Sequence, residues 1–147
     1  MTWDYIAGFF DGEGSINHNG SGFRITISQT NKEVLDKIKK FTKTGNVFKV
    51  TKRKEHWKDS WVYFISKQVN VYYFLSKIEN YTIVKREKTN KTILLLKDIL
   101  VKQKEKQDRH FFITQESKKL RKQGLSYREI GKKLKIDWGY ARHLTLK

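Results

Sequence analysis

Hydrophobic positions recur at two spacings along this 147-residue chain, and the switching between them predicts an α+β fold. Trp3, Ile6 and Phe10 fall on one face of a helix that Thr2 caps, Asp4 suits in its first turn and Gly14 ends. "SINHNGSGFRITISQ" then reads as two strands joined by the turn-forming NGSG, with Phe23, Ile25 and Ile27 alternating against Arg24, Thr26 and Ser28. "NKEVLDKIKKFTKTG" is an amphipathic helix capped by Asn31 and stopped at Gly45, its buried stripe being Val34, Leu35, Ile38 and Phe41. A second hairpin follows, with strands "NVFKVTKR" and "SWVYFIS"; in the first, Val47, Lys49, Thr51 and Arg53 share a face opposite Phe48 and Val50. "VNVYYFLSKIENY" predicts a third helix, and "REKTNKTILLLKDILVKQKEKQ" a fourth with an Ile93, Leu96, Leu100 stripe. The resulting order is αββαββα.

From about Gln107 the aromatic-rich strand signals stop and the remainder is short, basic and helical. We therefore expect a core over residues 1–106 and a small module over 107–147. The latter divides into a helix ended by Gly124, a second capped by Ser126 and a third starting near Asp137. Leu120, Leu125, Ile130, Leu134, Ile136, Ala141 and Leu144 would supply its miniature core.

Charge narrows the partners. Lys and Arg number 32 against 15 Asp and Glu, a net charge of +17, which points to a polyanion such as nucleic acid. A membrane surface is the weaker alternative, because the positive charge is spread along the chain and no long amphipathic segment with a purely apolar face stands out. The chain has no cysteine, and its 4 histidines are scattered, so any catalytic metal would be held by oxygen. Runs such as "VYYFL" and "ILLL" are too short to cross a bilayer, and the first residues lack a signal-peptide pattern. The expectation is a soluble intracellular protein, in a prokaryotic or phage-infected cytoplasm or in an organelle.

Candidate chemistry lies in "IAGFFDGEG", residues 6–14. Gly8 and Gly12 stand four apart on one helical face beside Ala7, a spacing of small residues that lets two helices approach closely. Asp11 and Glu13 fall at the helix's C-terminal end, where the dipole disfavours anions unless a cation joins them. A hard divalent cation would do so, and would support phosphodiester hydrolysis. A calcium loop of the EF-hand kind needs a longer run of regularly spaced oxygen ligands.

This stretch resembles the LAGLIDADG motif of the homing endonucleases, and the strand and helix order up to about residue 105 is similar to that family's core. The resemblance implies an αββαββα fold with a concave antiparallel sheet, and double-strand DNA cleavage with 3′ overhangs that depends on Mg²⁺, with Mn²⁺ as a substitute. It implies that Glu13 and the Gly12 carbonyl hold the metal, and that Asp11 is the less catalytic neighbour. Gln29, in "ISQTN", would position water; Lys85, in "IVKREKTN", would stabilise charge or polarise the nucleophile, with Arg86 and Lys88 close by. One motif implies a homodimer meeting through Ala7, Gly8, Asp11 and Gly12, on a long pseudo-palindromic duplex site.

On that reading the polar strand faces, Arg24, Thr26 and Ser28 with Lys49, Thr51 and Arg53, line a saddle that reads base edges in the major groove. The tail "SYREIGKKLKIDWGYARHL" resembles a helix-turn-helix, with Lys135 where a turn glycine is usual and Gly131 where alanine is usual. Tyr127, Arg128, Trp138, Tyr140, Arg142 and His143 would face DNA. The alternative is a non-cleaving nucleic-acid binder on the same scaffold, an intron maturase or a transcription regulator.

Overall fold

Helix α1 (Trp3–Glu13) begins where Thr2 Oγ1 accepts the Tyr5 N–H at 3.5 Å, and it ends at Gly14. A Cβ on Gly14 would lie 2.0 Å from the ring of the buried Phe10, so only glycine lets that ring close the turn. The computed structural model describes residues 1–52 and 54–146. The chain forms two units, Met1–Leu100 and Val101–Lys147.

In the first unit α1 leads into hairpin β1 (Gly14–His18) and β2 (Phe23–Gln29), helix α2 (Lys32–Thr42), hairpin β3 (Asn46–Lys49) and β4 (Trp61–Ile65), and helix α3 (Gln68–Ile78). The four strands form one antiparallel sheet in the order β1-β2-β4-β3, so the second strand of each hairpin lies at the centre. Ile25 and Ile27 of β2 and Tyr63 and Ile65 of β4 point to one face, where they pack with Ile6 and Phe10 of α1, Leu35 and Ile38 of α2, and Phe74 of α3. The expected αββαββα order is thus observed. Residues of opposite parity, among them Arg24, Thr26 and Ser28, line the other face of the sheet.

Some local expectations need correction. Helix α2 stops at Thr42, three residues before Gly45, because Lys43 takes the left-handed conformation at φ 54°. Phe41 stays 36% exposed and meets Trp3 edge-on at 5.2 Å, at the rim of the core. Strand β3 ends at Lys49.

The expected fourth helix and the first helix of the tail are a single element, α4 (Arg86–Lys122). No glycine or proline interrupts it, so the change in composition near Gln107 has no means of breaking the backbone hydrogen bonding. The division between the two units falls inside this helix, at Leu100 and Val101.

In the second unit α5 (Tyr127–Leu134) and α6 (Trp138–Leu146) pack on the end of α4 through Leu120, Ile130 and Ala141. Ser126 and Glu129 form a reciprocal capping box at the start of α5. The turn between α5 and α6 places Lys135 at φ 53°. A Cβ on Gly131 would come within 2.8 Å of the Ile136 carbonyl oxygen, so the close approach of the turn to α5 requires glycine there.

Candidate functional site

The C-terminal end of α1 presents two carboxylates of different fate. Asp11 points back into its own chain: Oδ2 accepts the backbone N–H groups of Ile83 at 2.6 Å and Val84 at 3.2 Å, and Oδ1 accepts that of Lys85 at 3.0 Å. Three successive amides thus form a concave anion site just before α4, whose first hydrogen bond is accepted by the Lys85 carbonyl. Burial pushes the Asp11 carboxyl up, but the Ile83, Lys85 and Val84 amides and the Lys85 charge outweigh it and hold the group below the usual aspartate range.

The Lys85 side chain returns to the same helix end. Its Nζ donates to the Asp11 carbonyl and lies 5.9 Å from the centroid of the Phe10 ring. An ammonium therefore occupies the negative pole of the α1 dipole and satisfies a carbonyl that the helix leaves unpaired. The cation that the sequence requires at this end is in part the chain's own.

Glu13, the last residue of α1, is exposed, and among the described residues none of the ion pairs involves it. Gly12 is exposed beside it. Gln29 ends β2, two residues beyond Ile27, which pairs with Gly14, so it lies at the strand end beside the α1–β1 junction. Its Oε1 accepts from Thr30 N at 2.8 Å and Thr30 Oγ1 at 3.2 Å. Among the described residues no cluster of three or more His, Cys, Asp or Glu side chains converges. The oxygen donors present, one exposed carboxylate and a neighbouring carbonyl, fit a hard cation that keeps several waters and takes its remaining ligands from a substrate phosphate.

The expected contact surface of α1 is only partly present. Gly8 and Gly12 are exposed, and a Cβ on either would meet nothing within 4 Å. Ala7, by contrast, is 0% exposed within the core of its own unit, so it cannot contribute to an outer face. The Asp11 side chain is likewise committed to residues 83–85 rather than to that face.

On the sheet, Arg24, Thr26 and Ser28 share the open face, and β1 brings Ser15 and Asn17 beside them. Lys49 does not join them. It pairs with Trp61, and the same parity puts Val47 opposite Tyr63 against the core, so Lys49 belongs to the helix-covered side of the sheet. There its ammonium lies 2.8 Å from Asp59 and 5.9 Å from the Trp61 ring centroid. Thr51 lies beyond the end of β3, and Arg53 lies outside the described residues.

The residue that β3 does contribute to the open face is Phe48, opposite Val62, with Phe64 opposite Thr26. Sequence reasoning missed these two aromatics by grouping β3 according to polarity. The half-burial of Val47 fixes the parity, and an apolar Val47 beside three polar residues was the available signal.

In the second unit Arg128, Trp138, Arg142 and His143 are exposed, and Trp138 and Arg142 stand one turn apart on α6. Two expected contacts are otherwise engaged. Tyr127 packs against the small core with the Arg121 guanidinium 4.5 Å from its ring centroid, and the Tyr140 hydroxyl is 2.7 Å from His110 Nδ1.

The helix-backed antiparallel sheet with one open face, and a glycine-acid motif ending its first helix, define the LAGLIDADG fold. The sequence pattern of the LAGLIDADG-like domain matches residues 3–79, and the chain belongs to that family. Among solved structures it resembles the homing endonuclease I-CvuI, bound to DNA with Mg and uncleaved, at 21% identity over 65% of each chain with a TM-score of 0.52. It resembles the archaeal intron-encoded I-Vdi141I, complexed with DNA, at 19% identity over 97% of this chain and 93% of that one, TM-score 0.52. The homing endonuclease I-TnaI gives 22% identity over 71% and 76%, TM-score 0.53. The chain thus spans 65% of the length of I-CvuI. No curated protein sequence matches it.

Proposed function

We propose that the protein is a homodimeric, divalent-metal-dependent DNA endonuclease that cuts both strands of a long pseudo-palindromic site. The observation that carries this reading is the end of α1, where the exposed Glu13 carboxylate stands two residues from the carbonyl that holds the Lys85 ammonium. An acid that a cation can reach and a fixed positive charge are both suited to a phosphodiester, and the open sheet face belongs to a chain of charge +17. The DNA complexes of I-CvuI and I-Vdi141I support the same reading.

Glu13 and the Gly12 carbonyl would hold Mg²⁺, with Mn²⁺ as a substitute. When bound, the cation supplies an acidified water and support for the leaving oxygen. Lys85 places fixed positive charge where the phosphate becomes more negative, and Gln29 orients a water through its amide. Asp11 acts on the reacting groups only through Lys85. Dimerisation through Gly8 and Gly12 would bring a second Glu13 to the opposite strand. The α5–turn–α6 element, acting as a helix-turn-helix with Arg128, Trp138, Arg142 and His143 outward, would lengthen the contacted site.

The test is cleavage of DNA carrying the uninterrupted insertion site of the gene, with and without Mg²⁺, by the natural chain and by Glu13→Gln. Cleavage that requires metal and disappears in the variant while binding persists is the expected result. Undiminished cleavage by Glu13→Gln overturns the assignment; tight binding without cleavage by the natural chain makes the protein a non-cleaving binder.

A further inference from the structure

The open face of the sheet is divided. On β1 and β2 it is polar and internally bonded: Ser15 Oγ and Thr26 Oγ1 are 2.7 Å apart, and Asn17 Nδ2 donates to Ser15 Oγ at 2.9 Å. On β4 and β3 it is mainly apolar, Asn46 opposite Phe64 being the polar residue. Phe48 and Phe64 meet edge-on at 6.5 Å, with Val62 opposite Phe48, and Phe48 is 52% exposed. The core of this unit lies on the other face of the sheet, so the aromatic pair stands outside it. An apolar strip rimmed by polar side chains marks a contact surface.

The occupant follows from the surroundings. The Arg24 guanidinium lies 5.9 Å from the Phe64 ring centroid, the polar half offers hydroxyls and an amide, and the chain carries +17, all complementary to a duplex of phosphates and base edges. In the major groove the one apolar feature of a base pair is the C5-methyl of thymine. We propose that Phe48 and Phe64 contact thymine methyl groups, so that the β3–β4 half of the face selects A·T pairs in an orientation-dependent way while the β1–β2 half reads by hydrogen bonds. Duplex RNA lacks that methyl group, and its major groove is too narrow to admit side chains. The face is therefore matched to DNA. This rests on the proposed DNA-binding function, and it deepens that reading by naming what half of the surface recognises.

The test begins with selection of bound sequences by the full chain from a randomised duplex library. Each thymine of the selected site is then replaced singly by deoxyuridine, which removes the methyl and nothing else. We expect one or two positions in each half-site at which the replacement weakens binding about four-fold, the factor equivalent to ~0.8 kcal/mol for one buried methyl. At those positions Phe48→Ala removes the difference between thymine and deoxyuridine, and 5-methylcytosine binds better than cytosine. Phe48 is exposed, so that variant retains the fold, which near-ultraviolet circular dichroism verifies. The proposal falls if no thymine is sensitive to the replacement, or if Phe48→Ala loses the same factor as the natural chain. Failure to select any sequence would instead overturn specific DNA binding itself, and this inference with it.

Discussion

Replacing Asp11 by asparagine isolates the clamp between α1 and the segment before α4. In the natural chain both carboxylate oxygens are used, Oδ2 by Ile83 and Val84 and Oδ1 by Lys85, and all three partners are donors. Asparagine keeps one acceptor oxygen and turns an NH₂ group toward at least one of those N–H groups, whichever way the amide is rotated. A charge-assisted bond contributes about 1.5–3 kcal/mol when buried, but the contacts to Ile83 and Val84 are solvent-exposed and water can replace part of them. The expected loss is about 1–2 kcal/mol at neutral pH, comparable with deleting a helix cap.

The pH dependence makes this prediction specific. The folded Asp11 carboxyl titrates below its unfolded value, so its contribution is complete above about pH 4 and is lost as the pH falls through the folded value. The difference between the natural chain and Asp11→Asn is therefore largest at neutral pH and shrinks below about pH 4. Asp4, Glu33, Asp59 and Glu129 also titrate low, but they are present in both proteins and cancel in the difference. Urea titrations of the full chain followed by tryptophan fluorescence supply the comparison, since Trp3 and Trp61 pack against the core of the first unit. Equal urea midpoints at pH 7, or a difference that stays constant into acid, would refute the reasoning.

The second unit yields two opposite expectations. Gly131→Ala forces a Cβ to within 2.8 Å of the Ile136 carbonyl, a backbone atom that cannot swing away, and should destabilise α5 and α6 by about 1–3 kcal/mol; an unchanged thermal transition would show that the turn yields. Lys135→Gly relieves a left-handed lysine at φ 53° and should raise the stability of the same unit by about 1 kcal/mol, read as a higher melting temperature.

Much of the first unit was legible because its signals are local. Thr2 and Gly14 bound α1, Asn31 caps α2 by accepting from Glu33 N at 2.9 Å, and the alternation in β2 sorts Ile25 and Ile27 inward. The errors arose where a local signal was absent or ambiguous. A change of composition near Gln107 was read as a break, although α4 contains no residue able to make one. The face of β3 was assigned by polarity, whereas the pleat follows Val47 and carries Lys49 with it. Glu13 and Lys85 were both singled out, but the Asp11 clamp lay beyond reach, because residues 72–74 positions apart leave no periodic trace in a single sequence.

That long-range clamp joins an acidic helix end to a lysine supplied much later in the chain. Helix α1 precedes both hairpins and α3 in the chain, whereas the ammonium that joins its acidic end comes from Lys85, which follows them all. A nascent or truncated chain ending before Lys85 would expose Glu13 without its positively charged neighbour. On the proposed reading, cleavage would thus wait on completion of the first unit.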